Sequence, residues 1–416
     1  MPRLAACLAA SLTAAAVAAA PAALGAAPAG AAPAALQRVT GADLGPQGPW
    51  FRLQDDPSNA GRPAGVQEVS PFADPVHFNG SLHLAVAGAA EAQQAQAAHY
   101  FTRAVPLSEI TGLPLSYDLY VRSRTSTLSA IPFGANLQLP GFCGGAFTTL
   151  SFQPQRATDA QGRTGAVADA WRHFDAGGDA LWRTSRAVGS FPAGSDHPLA
   201  DYVAACDGPS DGAIGVIANV GRLGDPAASL DTQVDNVTVD GTAYDFAVDG
   251  TATGSIEVTS TAPGNPGNPG GPGTWSDDGA PGRVAAVPAS VRGGGGGDGG
   301  QACSLEGTVT FTSPADGPYF SRVGTRLVLS RPGGLRPQDM TVTANGEPVH
   351  LAEGPGGTVV AVVTPQPGRD LAPGGTYSTP FTVTCAAGCE GPVTVTAELL
   401  AQGFEPLQPT GVTARP

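Results

Sequence analysis

Short apolar runs, each ended by Gly, Pro, Asn or Asp, fill the chain from residue 36 to about residue 258. This spacing is typical of a β-sandwich and not of alternating strands and helices. The alternation is clearest in Ser81–Val86, which reads as a half-buried outer strand. The predicted strands are 50–53, 81–86, 115–122, 136–139, 146–152, 180–185, 214–220, 234–239 and 242–248.

Two short stretches, 89–98 and 199–205, favour helix by composition. Both are too short to be stable alone, so we expect them as connections packed on sheet edges. The Asp240-Gly241 pair predicts a tight hairpin turn between the last two strands.

A second series of short alternating strands follows in residues 301–416, with Asn345-Gly346 as a hairpin turn. Such a series predicts an immunoglobulin-like β-sandwich. Its strands are predicted at 307–312, 325–330, 340–345, 358–364, 377–384 and 392–399. The Gly/Pro-rich residues 261–300 predict a linker, because they cannot form a core. The first domain is then 32–260, and the fold class is all-β.

The apolar, alanine-rich residues 1–31 predict a secretory signal peptide. No later stretch approaches the ~18 apolar residues of a membrane helix, so we expect a secreted protein, released or held non-covalently at the cell surface. The net charge of −14 opposes binding to nucleic acid or to an anionic membrane. All 21 basic residues are Arg, which with the Ala, Gly and Pro content suggests a GC-rich bacterial genome.

Five cysteines remain after the signal peptide. In an oxidising compartment, Cys143 and Cys206 most simply pair within the first domain. Cys303 could pair with Cys385 or with Cys389, or Cys385 could close a local loop with Cys389. We favour Cys303–Cys385, which joins the ends of two strands. Zinc is not expected, because this set lacks a fourth ligand.

The densest candidate chemistry is in residues 171–182, WRHFDAGGDALW. Exposed indoles of Trp171 and Trp182 would stack on sugar rings, while His173 and Asp175 would bind sugar hydroxyl groups. The alternative is that the aromatic side chains pack in the core across a hairpin, which is the more common location for large rings.

No catalytic motif stands out. The carboxylates near this segment have no spacing that marks a glycosidase pair, and Ser195-Asp196-His197 lacks the arrangement of a hydrolase triad. The aspartates of the closing strands suggest a structural calcium site, with Asp235, Asp240 and Asp245 as weak candidates. The common use of aspartate in tight turns explains most of these residues without an ion. No other cofactor is expected.

Five segments of the first domain carry a resemblance: GSLHL at 80–84, SYDLYVR at 116–122, FTTLSFQP at 147–154, WRHFDAGGDALWRTS at 171–185 and VDNVTVDGTAYDF at 234–246. They resemble carbohydrate-binding modules and concanavalin-like lectin domains of secreted, actinobacterial-type proteins, which implies a jelly-roll sandwich. The resemblance covers about half of the chain and implies no catalytic residue. The C-terminal part is similar to immunoglobulin-like modules.

These observations favour a secreted, non-enzymatic binding or adhesion protein that recognises extracellular or cell-wall carbohydrate. One alternative is a polysaccharide lyase or glycosidase on a lectin-like sandwich, which would need catalytic groups converging in a cleft. The other is a purely structural surface protein.

Overall fold

A computed structural model describes residues 34–53, 64–87, 93–125, 134–165, 167–221, 228–260, 283–291, 303–385 and 391–404. The predicted signal peptide lies outside these residues, as does most of the predicted linker.

The first part of the described chain folds as a β-sandwich, here called the first sandwich. Its elements are β1 Ala35–Val39, β2 Phe51–Arg52, β3 Val66–Ser70, β4 Ser81–Val86, β5 Gln94–Val105, α1 Leu107–Thr111, β6 Ser116–Thr125, β7 Asn136–Cys143, β8 Ala146–Phe152, β9 Trp171–Asp175, β10 Leu181–Thr184, β11 Asp196–Pro198, α2 Leu199–Val203, β12 Gly212–Gly221, β13 Ser229–Val239 and β14 Thr242–Phe246.

The remaining described strands form the second sandwich. They are β15 Thr253–Ser260, β16 Arg283–Val291, β17 Cys303–Thr312, β18 Gly324–Ser330, β19 Met340–Ala344, β20 Glu347–Pro348, β21 Leu351–Gly354, β22 Thr358–Val363, β23 Thr376–Cys385 and β24 Gly391–Leu400.

Two seven-stranded sheets share the core of the first sandwich. The first sheet has the order β1-β14-β13-β4-β3, and β6 joins β13 to β9. The second sheet has the order β11-β10-β8-β7-β12-β5-β2. Alternate residues of both sheets, such as Leu82 and Val234 in the first and Leu150 and Trp182 in the second, meet in one core.

The second sandwich packs a sheet of order β15-β17-β23-β19-β20 on one of order β16-β24-β18-β22-β21. Residues such as Val309, Leu327 and Val395 fill its core. All four sheets confirm the predicted all-β class, while the finer jelly-roll and immunoglobulin-like assignments remain predictions.

The two sandwiches contact each other directly along a surface that we call the joint. Phe72 forms a β-bridge with Tyr319, and its ring packs beside Tyr120 and Trp171. Phe78, from the same segment of the first sandwich, enters the core of the second.

Several predicted elements differ in the structure. The helix predicted at 89–98 is wrong for its described part, because β5 runs through Gln94 and Ala98. Ala95 and Ala97 point into the core and alternate with polar residues, a strand pattern that the helical composition concealed. The helix predicted at 199–205 is confirmed as α2.

The boundaries between the sandwiches also differ from the predicted ones. Strand β15, at the end of the predicted first domain, pairs with β17 of the second sandwich. Strand β16 lies inside the predicted linker and pairs with β24.

Candidate functional site

The structure buries both indoles that were predicted to stack on sugars. Trp182 is 0% exposed and packs against Phe152, and its indole N–H donates to the carbonyl oxygen of Ala176 at 2.8 Å. Trp171 is 3% exposed and donates to the carbonyl oxygen of Ala73 at 3.1 Å. A buried ring offers no face to a ligand, so this prediction is corrected: Trp182 belongs to the core and Trp171 to the joint.

The other two predicted contacts, His173 and Asp175, lie two residues apart on β9 and share one face of the sheet. The His173 side chain is 44% exposed, and its Nδ1 lies 2.8 Å from Asp118 Oδ1. This hydrogen bond, opposed by burial, raises the pKa of His173. Asp175 accepts a hydrogen bond from the backbone of Gly177 at 2.9 Å, as a turn aspartate does. Neither side chain stands beside an exposed indole.

A group of polar side chains, which we call the acidic cluster, lies on the outer face of the first sheet. It comprises Asp74, His77, Asn79, Asp235 and Asp245. Asp245 stands between two core residues of β14, so its side chain points away from the core.

Hydrogen bonds to the Asp74 carboxylate hold the 71–80 segment in a turn beside β14. This carboxylate accepts backbone hydrogen bonds at 2.6 Å from His77 and at 3.2 Å from Asn79. Asn79 Nδ2 in turn donates to Asp245 Oδ2 at 2.8 Å, and His77 Nδ1 lies 3.4 Å from Asp245 Oδ1. One ligand atom each from Asp74, His77 and Asp245 therefore lies within 4.8 Å of the others.

A bulge in β13 brings Asp235 and Asn236 to the same region. The register with β6 shifts between Asp235 and Thr238, and Asn236 has a φ of 50°, which asparagine tolerates. Asp235 Oδ1 accepts hydrogen bonds from the backbones of Asn236 and Phe246 at 2.6 and 3.0 Å. Asn236 Nδ2 donates to Asp118 Oδ2 at 2.7 Å.

The carboxyl groups of the cluster are removed from water. Burial, which penalises the ionised form, raises the pKa of Asp74 to about 6 even though hydrogen bonds from His77 act against it. Burial and the charges of Asp74 and Asp245 raise the pKa of Asp235 well above its ordinary value. Burial lowers the pKa of His77, but its interactions with Asp245 and Asp74 outweigh burial, so the net shift is upward.

Four buried atoms of the cluster have no hydrogen-bond partner within the described part of the chain: His77 Nδ1, Asn79 Oδ1, Asp235 Oδ2 and Asp245 Oδ1. Three of them are oxygens, the ligand atoms that hard divalent cations prefer. Because the carboxyl groups are buried, they cannot act on a polysaccharide as an acid–base pair. The arrangement suits a cation better than a substrate.

Two of the three aspartates predicted as calcium candidates, Asp235 and Asp245, meet in this cluster. Asp240 does not, because it is an exposed residue in the turn between β13 and β14 with a φ of 49°. Asp74, His77 and Asn79 were not predicted as a site, although DPVHFNG has an aspartate placed to accept backbone hydrogen bonds from the residues after it.

A pair of exposed aromatic rings lies on the outer face of the second sheet. Phe142 and Phe147 face each other across the β7–β8 hairpin with ring centroids 5.8 Å apart, and they are 41% and 49% exposed. Leu139 and Leu150, three residues away on the same strands, point into the core. The side-chain alternation therefore directs both rings to solvent.

A second pair lies on the same face, where Tyr100 of β5 is 43% exposed and contacts Phe51 of β2 edge-to-face at 5.1 Å. A Cβ atom at Gly215 would come 2.5 Å from Tyr100 Cδ1, so this glycine leaves room for the ring. Strand β12 separates β5 from β7, with Phe142 opposite Gly212 and Tyr100 opposite Gly215, so the two pairs lie about 10 Å apart across the strands and about 10 Å apart along them. We call Phe51, Tyr100, Phe142 and Phe147 the aromatic row. Sequence reasoning missed it, although Phe142 and Phe147 flank a Gly-Gly turn.

The cysteine predictions have different outcomes. The Cys143–Cys206 disulfide is confirmed. The backbone register of β17 and β23 places Cys303 opposite Cys385, and the bond between them remains a prediction. Cys389 lies outside the described residues.

Comparison of the chain with protein-family models and with curated proteins finds no match. Within the described residues, no helix has both the length and the apolar character to cross a membrane.

Proposed function

We propose that this is a secreted, non-enzymatic binding protein whose first sandwich recognises extracellular or cell-wall carbohydrate through the aromatic row. The observation that carries this proposal is the exposure of Tyr100, Phe142 and Phe147 on one sheet face. Aromatic rings stack on the C–H faces of sugars, and a group of solvent-exposed apolar rings is typical of an interaction site.

The strands that carry the row hold its rings in place before a ligand arrives. The two pairs stand on four strands of one hydrogen-bonded sheet, so binding would require little ordering of the protein. Thr149 follows Phe147 by two residues, shares its face and is half-buried. Its hydroxyl group would bind a sugar hydroxyl beside the stacked ring.

The charge of the protein favours neutral glycans over polyanionic ones. A net charge of −14 repels a polymer that carries carboxylate or phosphate groups. The calcium ion suggested by the sequence would not take part in carbohydrate binding here, because the acidic cluster lies on the other sheet.

A second candidate is a purely structural surface protein. The direct packing of the two sandwiches at the joint favours it, because joined sandwiches act as a rigid spacer whether or not a ligand binds.

A glycan array of neutral microbial and plant oligosaccharides tests the proposal. The variant carrying Tyr100→Ala, Phe142→Ala and Phe147→Ala should lose the signals of the wild-type protein. A control carrying Leu36→Ala and Val66→Ala, which removes exposed apolar side chains from the first sheet, should keep them. A silent array would support the structural candidate. Shortened glycans detected by mass spectrometry would contradict the non-enzymatic assignment.

A further inference from the structure

The 71–80 segment has two sides that serve different parts of the molecule. On one side, the Phe78 ring lies 4.9 Å from Phe404 and 6.1 Å from Phe320, inside the core of the second sandwich. On the other side, Asp74 and Asn79 belong to the acidic cluster of the first sandwich. Whatever fixes the cluster therefore also fixes the segment that reaches into the joint.

We propose that the acidic cluster binds one calcium ion, which holds the 71–80 segment against the first sheet and thereby stabilises the joint. The ligand atoms that already converge are carboxylate oxygens of Asp74 and Asp245, which lie with His77 Nδ1 within 4.8 Å of one another. The unpartnered oxygens Asp235 Oδ2 and Asn79 Oδ1, from the same region, complete the proposed set. This proposal is independent of carbohydrate binding, because the aromatic row lies on the other sheet.

The oxygens point to a cation because Asp235 Oδ2, Asp245 Oδ1 and Asn79 Oδ1 accept no hydrogen bond within the described protein, and the one cationic group beside them, His77, lies 3.4 Å from Asp245 Oδ1. Asp74 and Asp235 are 0% exposed and Asp245 is 3% exposed, so water does not solvate their charges freely. Three buried carboxylates side by side repel one another, and a divalent ion reverses that repulsion. Asp235 Oδ1 is anchored by backbone N–H groups, which leaves Oδ2 as the oxygen available to a ligand.

The donor set favours calcium over softer ions. Carboxylate and amide oxygens dominate, and calcium accepts six to eight such ligands in flexible geometry. Among the side chains of the acidic cluster, His77 offers the one nitrogen that can ligate a metal, whereas zinc sites are built mainly from nitrogen and sulfur ligands. The hydrogen bond from Asn236 to Asp118 adds a second layer of ordered polar groups around the site.

Thermal unfolding of the full-length protein after treatment with a chelator provides the first test. At pH 7.5, calcium at one hundred times its Kd should favour the folded state about 100-fold, which for a chain of this size raises Tm by about 4 °C. Elemental analysis after desalting should find one calcium per chain. No change in Tm at 1 mM calcium, or a larger rise with zinc or manganese, would overturn the proposal.

Isosteric variants locate the effect. Asp235→Asn and Asp245→Asn remove one charge each and should abolish the response of Tm to calcium. Their metal-free forms should melt at or above the wild-type temperature, because one repelling charge is gone. Asp240→Asn is the matched control, since it makes the same change in the exposed turn of the same hairpin, and it should keep the full response. An equal response in all three variants would show binding elsewhere.

Hydrogen exchange separates a cluster site from general stabilisation. The backbone N–H groups of His77 and Asn79, which donate to Asp74, should exchange more slowly when calcium is bound. Slowing that is uniform across both sandwiches and absent from the 71–80 segment would contradict the assigned position.

Discussion

Removing the disulfide between Cys143 and Cys206 by replacing both with alanine should destabilise the protein by about 4 kcal/mol. The bond joins the end of β7 to the turn after α2, across a sequence separation of 63 residues. In the chain-entropy model, a loop of this length lowers the entropy of the unfolded chain by an amount worth about 4 kcal/mol at 25 °C.

The native structure around the bond should survive its removal. Asp211 accepts hydrogen bonds from the backbone N–H groups of Gly144 and Gly145 at 2.8 and 3.0 Å, and so holds the same hairpin independently. The loss of stability should therefore come mainly from the unfolded chain. Phe142 and Phe147 should keep their positions, and glycan binding should be unchanged.

Guanidinium unfolding followed by circular dichroism measures the effect. The double-alanine variant should have a lower midpoint than the wild-type protein, and reducing agent should move the wild type towards the variant. A loss below about 1 kcal/mol would refute the reasoning, since it would mean that the crosslink constrains little of the unfolded chain.

Three further predictions concern the core, the joint and pH. Trp182→Ala should cost about 3 to 5 kcal/mol in the free energy of unfolding, because it empties a fully buried site; a cost near zero would mean that the indole is exposed. Phe78→Ala should cost a similar amount in the free energy of unfolding and lower the melting temperature of both sandwiches, since the ring joins the first sandwich to the core of the second. Calorimetry in which one sandwich keeps its melting temperature would contradict this. Burial lowers the pKa of His83, but interactions with Asp231 and Glu68 outweigh it, so the pKa is raised. The His83 ion pairs therefore stabilise the fold below pH ~6.5 and less as the pH rises through the folded-state pKa, so His83→Gln should cost about 0.5 kcal/mol at pH 5.5 and nothing measurable at pH 8.5.

The turns were the most predictable part of the fold. Asp240-Gly241 and Asn345-Gly346 both adopt positive φ at each position, as tight hairpins require. Local chemistry sets such turns, and so the sequence reveals them. The Gln94–Val105 strand was hidden because alanine and glutamine favour helix when alone, and only packing against the opposite sheet selects the extended form.

The sites were less predictable, because they depend on which side chains tertiary packing buries. Nothing local distinguishes the buried Trp171 from a sugar-stacking one, since its cover comes from Phe72 about a hundred residues earlier in the chain. The acidic cluster likewise joins Asp74, in the loop between β3 and β4, to Asp245 of β14, which is distant in sequence, and only the sheet order β14-β13-β4 brings them together. Aspartate enrichment in the closing strands identified two of its five members, Asp235 and Asp245.

Titration calorimetry with the oligosaccharide that gives the strongest array signal tests the central claim most directly. The proposal predicts that Phe147→Ala weakens binding about tenfold, or about 1.4 kcal/mol, through loss of one stacking ring. Leu36→Ala, which removes an exposed leucine from the other sheet, should leave Kd unchanged. Equal Kd values for the wild-type protein and Phe147→Ala would contradict a role of the aromatic row in carbohydrate recognition.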